Sequence, residues 1–297
     1  MNFQPERLLQ LRTSLNINKA EAARRLNISA MAYGRYENGE REPSYQTVCY
    51  IAQTFNCNVD FLYGTSDKME ADYIMISSNE TPELYALAKE KKVVLMEGIK
   101  TAYCPGFQEL INIAKSGKIG EIVDVESCFS RLATLESRER TDAKYGGAFL
   151  EFAGYTLLPI IKLLGTDYSE VQIDSIYDEN GVDIYTKIQL RYPNGMATAK
   201  MGVGVKSEGS LVVAGTKGYV LAPSPWWLTH KFDVRYEDPN VIEHYEPNFQ
   251  GDGLRYEISE FVGKINGTER RNYKLTKQES IAMSRIVEKF MKEHNRT

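Results

Sequence analysis

The residues that first invite a chemical reading lie in NISAMAYGRYENGEREPS, from Asn27 to Ser44. The stretch reads as a short helix entered from a three-residue turn and left through a Gly-containing exit. That is how a DNA-reading helix is presented. Its chemistry would be hydrogen bonding to base edges, for which its first exposed positions, Ala30, Met31 and Ala32, are poorly equipped. Metal and thiol chemistry have weaker support. His230, His244 and His294 stand at no ligand spacing, which argues against a zinc centre. Cys49, Cys57, Cys104 and Cys128 are widely spaced with no CxxC pair, and read as reduced, buried thiols.

These residues must be positioned by a chain of 297 residues, long enough for about two domains with their own cores. No apolar run approaches the roughly 20 residues of a membrane span, and MNFQPERLLQ lacks the apolar core of a secretory signal. A cytoplasmic protein without membrane contact is expected. The net charge of −4 excludes a uniformly basic nucleic-acid coat. Residues 1–68 carry eight Lys/Arg against seven Asp/Glu, or +1, so the remainder carries −5. A near-neutral small domain can still bind DNA if its basic residues share a face.

Pro5 opens a helical pattern with Leu8, Leu11 and Leu15 at three- to four-residue spacing. Asn18 caps a second helix, Lys19 to Leu26, with Glu21 placed to complete a capping box and Ala22, Ala23 and Leu26 inward. Asn27 marks the sharp turn, because Asn tolerates a left-handed backbone. Ser29 caps a third helix with Tyr33 and Tyr36 inward, and Asn38-Gly39 ends it. Ser44 caps a fourth with Val48, Ile51 and Ala52 inward, and Val59 to Tyr63 form a short fifth. Small Ala23 lets the second and third helices cross closely, which leaves the third one exposed face for a major groove. The same pattern also fits a five-helix bundle with no role in DNA binding.

Residues 5–67 resemble the Cro/CI-type (XRE) helix-turn-helix family over its whole length. The run R-Y-E-N-G-E-R-E-P-S from Arg35 to Ser44 and the closing D-F-L-Y-G-T-S-D carry the resemblance. It implies an all-α, five-helix, lambda-repressor-like DNA-binding domain over residues 1–68. It further implies that Lys19, where the family usually has Gln, contacts a backbone phosphate. The third helix, capped by Ser29, would present Ala30, Met31, Ala32 and Arg35 to the groove. Asn38, Arg41 and the amides near Ser44 would touch phosphates, which fix register without reading sequence. With Ala-Met-Ala where the family often carries Gln, Arg, Ser or Thr, specificity leans on Arg35 and on DNA shape.

Residues 69–78 read as a linker whose apolar run, Tyr73 to Ile76, is either a strand or a covered connection. Beyond it, ELYALAKEKK is an amphipathic helix, Val93 to Glu97 a short buried strand, and Pro105 to Ser116 a helix stopped at Gly117. EIVDVESCFS is a strand, and Ala148 to Leu164 a mostly apolar helix. Alternating segments follow in VDIYTKIQLRY, MATAKMGVGVK, SLVVAG and GYVLAP, with turns at Pro193-Asn194-Gly195 and Thr216-Lys217-Gly218. Helices Leu254 to Ile265 and Thr276 to His294 close the chain. The sum is an α+β domain, an open, mainly antiparallel sheet covered by helices.

From Asn79 on, the chain resembles the Gfo/Idh/MocA oxidoreductases, which move hydride between NAD(P) and sugar-like substrates. ALAKEKKVVLMEGIKTAYCPGF and GKIGEIVDVESCFS are the clearest stretches, and GGAFLEFAGYTLLPIIKLLG matches the helix lining the family's substrate cleft. The resemblance implies a C-terminal α+β domain over 79–297, with the last helix and strand of the dinucleotide-binding half at 79–121. It also implies a sheet that pairs two subunits. Glu151 and Tyr155 stand where the family carries Asp and His or Tyr. Tyr155 could donate a proton and Glu151 could orient a hydroxyl. Glu97, Lys100, Glu151 and Tyr155 are the side chains implied around a sugar-like ligand. The plainer alternative makes Glu151 a partnered carboxylate and Tyr155 a packed aromatic.

The family's E-K-P lysine would fall just before Ser77, where the chain reads DYIMIS. No G-x-G-x-x-G turn precedes the matched region, and Gly202-Val203-Gly204 sits inside a strand pattern. Neither cofactor nor metal is therefore expected. The favoured reading is a sequence-specific regulator of transcription that binds duplex DNA as a homodimer, with possible sugar or polyol sensing by its second domain. The alternatives are an NAD(P)-dependent oxidoreductase carrying an added helix-turn-helix, or a recombination relic with an exposed apolar surface.

Overall fold

The computed structural model describes residues 3–26, 28–55, 57–69, 80–251, 253–268 and 274–294, apart from the side chains of Gln46 and Gln53. The turn at Asn27, the run from Tyr73 to Ile76 and the position before Ser77 lie outside them. So does the expected linker, except for Met69. The chain divides into two compact units, Met1–Met75 and Ile76–Thr297.

Unit 1 is built from α1 (Pro5–Ser14), α2 (Lys19–Arg25), α3 (Ala30–Glu37), α4 (Tyr45–Phe55) and α5 (Val59–Leu62). Leu8, Leu11, Ala22, Ala23, Leu26, Tyr33, Tyr36, Val48, Ile51 and Ala52 share one buried core. Leu15 instead caps α1 at its C-terminus and is partly exposed. Met69, expected in the linker, packs against this core. The Asn18 side chain accepts the Glu21 N–H at 2.9 Å. Glu21 was expected to reach back and close a capping box, but its carboxylate is held by Arg24 and Arg25. Helix α3 ends at Asn38, after which Gly39 has φ of 74°. A side chain is disfavoured in that left-handed region, so Gly suits the exit.

Unit 2 opens with α6 (Glu80–Lys91), α7 (Lys100–Tyr103) and α8 (Pro105–Lys115). Then come β1 (Ile122–Ser130), α9 (Arg138–Thr141), α10 (Ala148–Leu164), β2 (Glu170–Tyr177), β3 (Asp183–Tyr192) and β4 (Gly195–Gly202). The unit continues with β5 (Leu211–Gly215), β6 (Gly218–Ala222), a 3-10 turn (Trp226–Leu228), β7 (Phe232–Tyr236) and β8 (Ile242–Tyr245). It closes with α11 (Leu254–Ile265) and α12 (Lys277–Glu293).

The eight strands form one sheet in the order β2-β3-β4-β1-β5-β6-β7-β8, antiparallel except for the β1–β4 pair. Alternation decides which face is covered. In β3, Thr186, Ile188, Leu190 and Tyr192 are buried while Lys187, Gln189 and Arg191 are exposed. Helix α10 lies against β1, β3 and β4. Its Phe149 stacks on Phe290 of α12 at 3.8 Å, and its Lys162 meets Glu279 of α12 at 2.8 Å.

The expected strand from Val93 to Glu97 is absent: residues 93–99 are irregular, with Val93 61% and Leu95 37% exposed. An apolar run becomes a strand only where a neighbour satisfies its backbone groups, and no described strand pairs with it. Leu87, Phe261, Val262 and Ile265 are exposed as well, and no residue of α11 is buried.

Candidate functional site

In unit 1 the candidate interface is the outer face of α3. Ser29 caps the helix by accepting the Ala32 N–H at 3.1 Å. Ala30 and Arg35 are exposed, Met31 is 69% exposed, and Ala32 is half-buried. Gly34, one turn on from Ala30, has nothing within 4 Å of where a Cβ would stand. Ala30 and Gly34 therefore form a low strip beside the row of Met31 and Arg35, along which a helix backbone can approach a groove closely. The sequence reading missed Gly34, although its spacing from Ala30 was the available signal.

The flanking groups are partly committed to one another. Lys19 Nζ donates to Asn38 Oδ1 at 3.1 Å and lies 3.3 Å from Glu37 Oε1. Asn38 Nδ2 donates to Glu40 at 3.0 Å. The buried Glu37 carboxylate takes a bidentate bond from Arg12 at 2.7 and 3.0 Å. Arg41 holds its guanidinium 6.0 Å from the Tyr36 ring centre, and Ser44 caps α4 by accepting the Thr47 N–H at 3.2 Å. Arg35 is exposed and makes no ion pair among the described residues.

In unit 2 the four expected ligand groups differ in their partners. The charge of Lys100, on α7, acts on Glu257 of α11, and the charge of Glu257 acts on Tyr155 of α10. Burial pushes Glu257 up to about 6, and Lys100 only partly offsets that. A Cβ on Gly98 would stand 3.2 Å from Glu257 Oε1, so the glycine leaves room for this carboxylate. Burial, and then the negative charges of Glu257 and Glu151, push Tyr155 upward. Behind Tyr155 lies an aromatic stack: the buried Phe129 ring sits 4.2 Å from Phe152 and 3.7 Å from Trp227, with Tyr155 edge-on at 5.3 Å.

Glu151 is held by Arg138, so it is a partnered carboxylate; burial still pushes it upward despite that partner. Glu97 bonds with Ser280 of α12 and its charge acts on Tyr85 of α6, and its Oε2 has no hydrogen-bond partner among the described residues. Glu257 and Arg138 were absent from the sequence reading. Glu257 lies 157 positions after Lys100, and nothing in the local pattern of α11 marks it.

Helix α10 is aimed by its N-terminus. Gly147 has φ of 95°, and the buried Asp183 of β3 accepts the Phe149 N–H at 2.7 Å and the Thr186 hydroxyl at 2.8 Å. A Cβ on Gly147 would lie 1.9 Å from Asp183 Oδ1. The carboxylate thus caps α10 from another strand, at the end where the helix dipole favours negative charge.

Comparison with known proteins agrees with both units. Residues 8–62 match the helix-turn-helix family. Residues 107–221 match the GFO/IDH/MocA C-terminal domain. The chain is 23% identical to trans-1,2-dihydrobenzene-1,2-diol dehydrogenase of Sus scrofa over 289 residues, covering 93% of this chain and 86% of that protein. The Homo sapiens enzyme of the same name is 25% identical over 277 residues, covering 88% and 81%.

Among solved structures, the 3-ketoreductase KijD10 from Actinomadura kijaniata, in complex with NADP and TDP-benzene, aligns with a TM-score of 0.60 at 17% identity. That match covers 71% of this chain and 66% of the other. The probable oxidoreductase yhhX aligns at 0.57 with 21% identity, covering 73% and 68%. At these identities the likeness establishes fold alone. The chain joins an XRE-type helix-turn-helix domain to a GFO/IDH/MocA C-terminal domain.

Proposed function

We propose that the chain is a DNA-binding transcriptional regulator, with unit 2 serving dimerisation and the sensing of a small sugar-like or polyol ligand. The face of α3 carries the reading: a capped helix that offers Ala30 and Gly34 at low profile beside the protruding Met31 and the exposed Arg35. Lys19, Asn38, Arg41 and the amides after Ser44 would anchor phosphates, and Arg35 would read guanine in the major groove. Two copies paired through the open sheet would present two such helices to a two-fold operator. Ligand control requires that the ligand bind two quaternary states with different affinity.

The test is binding of a labelled duplex by the full chain across a salt series. Contact with several phosphates gives an affinity that falls steeply between about 50 and 200 mM salt. No binding at the low end at micromolar protein would sink the proposal.

A second reading is hydride transfer with a nicotinamide cofactor. It is favoured by the hydroxyl of Tyr155, unbonded among the described residues, and by the dehydrogenases and reductases that the chain resembles. Against it stands the lack of a G-x-G-x-x-G turn anywhere in the 297 residues. Quenching of NADH or NADPH fluorescence on adding the chain separates the two: regulation alone predicts none.

A further inference from the structure

The side chains expected on phosphates in unit 1 form a chain of bonds that ends on a carboxylate. Buried Glu37 holds Arg12 at 2.7 and 3.0 Å and lies 3.3 Å from Lys19 Nζ. Lys19 Nζ donates to Asn38 Oδ1 at 3.1 Å, and Asn38 Nδ2 donates to Glu40 Oε1 at 3.0 Å. Lys19, Asn38 and Glu40 are exposed, so water weakens the bonds among them. Their positions are set by the backbone instead. The N–H groups of Glu40 and Arg41 both donate to the Arg35 carbonyl, at 2.9 and 3.1 Å, and the Gly39 N–H donates to the Tyr36 carbonyl at 3.2 Å. The turn is thus closed onto α3, and the charge of Glu40 stays beside Asn38 whichever rotamer its side chain takes.

Charge along this turn cancels. Arg12 and Lys19 bring two positive charges against two negative from Glu37 and Glu40, and the next residues, Arg41 and Glu42, cancel in turn. An amide N–H and an ammonium are donors suited to a phosphate oxygen. Here a carboxylate already takes a bond from the amide, and it sets a like charge against any phosphate that approaches Asn38.

We propose that Glu40 stands in for a DNA phosphate at Asn38 and, as an intramolecular competitor, lowers the affinity of unit 1 for every duplex alike. The proposal rests on the reading of α3 and its flanks as a DNA interface, and it names the residue that sets how tightly that interface holds phosphate. A repulsion that ignores base sequence weakens each copy equally, so occupancy comes to depend on base contacts and on pairing two copies.

The probe is a fluorescently labelled duplex of mixed sequence, about 30 base pairs long, titrated with the full chain and read by anisotropy between about 50 and 200 mM salt. Glu40→Gln keeps an acceptor for Asn38 and removes the charge. It should bind about three- to tenfold more tightly at the low end, with a salt slope steeper by about one, so that the gain shrinks as salt rises. Glu40→Ala also frees the Asn38 amide and should gain at least as much, whereas loss of a residue that merely shaped the turn would weaken binding. Asp60→Asn removes the same charge from α5, outside this chain of bonds, and should gain less than about half as much. Equal binding by wild type and Glu40→Gln, weaker binding by Glu40→Ala than by wild type, or an equal gain from Asp60→Asn would each overturn the proposal and leave the DNA-binding reading standing. No binding by the wild type or any variant at micromolar protein would overturn both.

Discussion

Replacing Glu37 with Ala tests how the core of unit 1 supports its DNA face. The side chain is 2% exposed, and Arg12, which grips both its oxygens, is 16% exposed. Lys19 adds a third contact from the exposed side. Removing the carboxylate leaves the Arg12 guanidinium uncompensated, and breaking a buried pair on one side costs about 3–5 kcal/mol. Unit 1 spans Met1–Met75, so a stability of about 4–11 kcal/mol is expected, and the substitution removes a large share of it.

The assay has a built-in control. Trp226 and Trp227, the chain's two tryptophans, both lie in unit 2, whereas far-UV circular dichroism reports helices in both units. With a slope of about 1 kcal/mol/M in urea for so small a unit, the helical transition of unit 1 should move down by about 3–5 M. The tryptophan transition should stay in place.

The pH dependence follows from the same contacts. Burial pushes Glu37 up, but bonds from Arg12 and Lys19 outweigh it and hold the carboxyl below its usual range. A group depressed in the folded state contributes stability above its unfolded value of about 4.3 and loses it as pH falls through the folded value. The gap between wild type and Glu37→Ala should therefore close below about pH 4. A circular dichroism midpoint within 0.5 M of wild type would refute the reasoning, 0.5 M being about 0.5 kcal/mol on this slope.

Asp183→Ala should lower the tryptophan midpoint, because two buried bonds to a charged acceptor are lost at about 1.5–3 kcal/mol each, and the end of α10 frays. Glu257→Gln should raise the thermal midpoint of unit 2 at pH 8 more than at pH 5. Its folded-state value, raised to about 6, means the ionised carboxylate destabilises the fold as pH climbs. Met31→Gln should sharpen discrimination among duplexes, since an amide can pair with adenine where a thioether cannot, and competition binding would show it. Unit 2 should unfold in one cooperative tryptophan transition; a broad, non-cooperative trace would favour the relic reading.

The sequence made readable what local chemistry dictates. Asn18 and Ser29 cap where their side chains predict, the apolar period of α10 fits Ala148–Leu164, and Pro193-Asn194 turns β3 into β4. It misled where a neighbour decides. Residues 93–97 have the composition of a buried strand but no partner strand, while β2, β7 and β8 form because the sheet offers them an edge. The candidate site residues of unit 2 divide the same way. Tyr155 stands at a motif position and Lys100 near one, whereas Glu257 comes from a distant helix, and the Arg138 partner of Glu151 is set by the fold of the segment between them. In unit 1 the exposure of Met31 was legible, but the bond tying Lys19 to Asn38 was not, because it links two helices in space.

The most direct measurement of the central claim is selection of bound sequences from random duplex DNA by the full chain, with the wild type beside Arg35→Ala. The account predicts enrichment of a two-fold-related motif, with half-sites about one helical turn apart, and loss of preference at one base position per half-site in the variant. No enrichment by the wild type would contradict the regulator reading. Enrichment identical in both proteins would contradict the placement of base readout at Arg35.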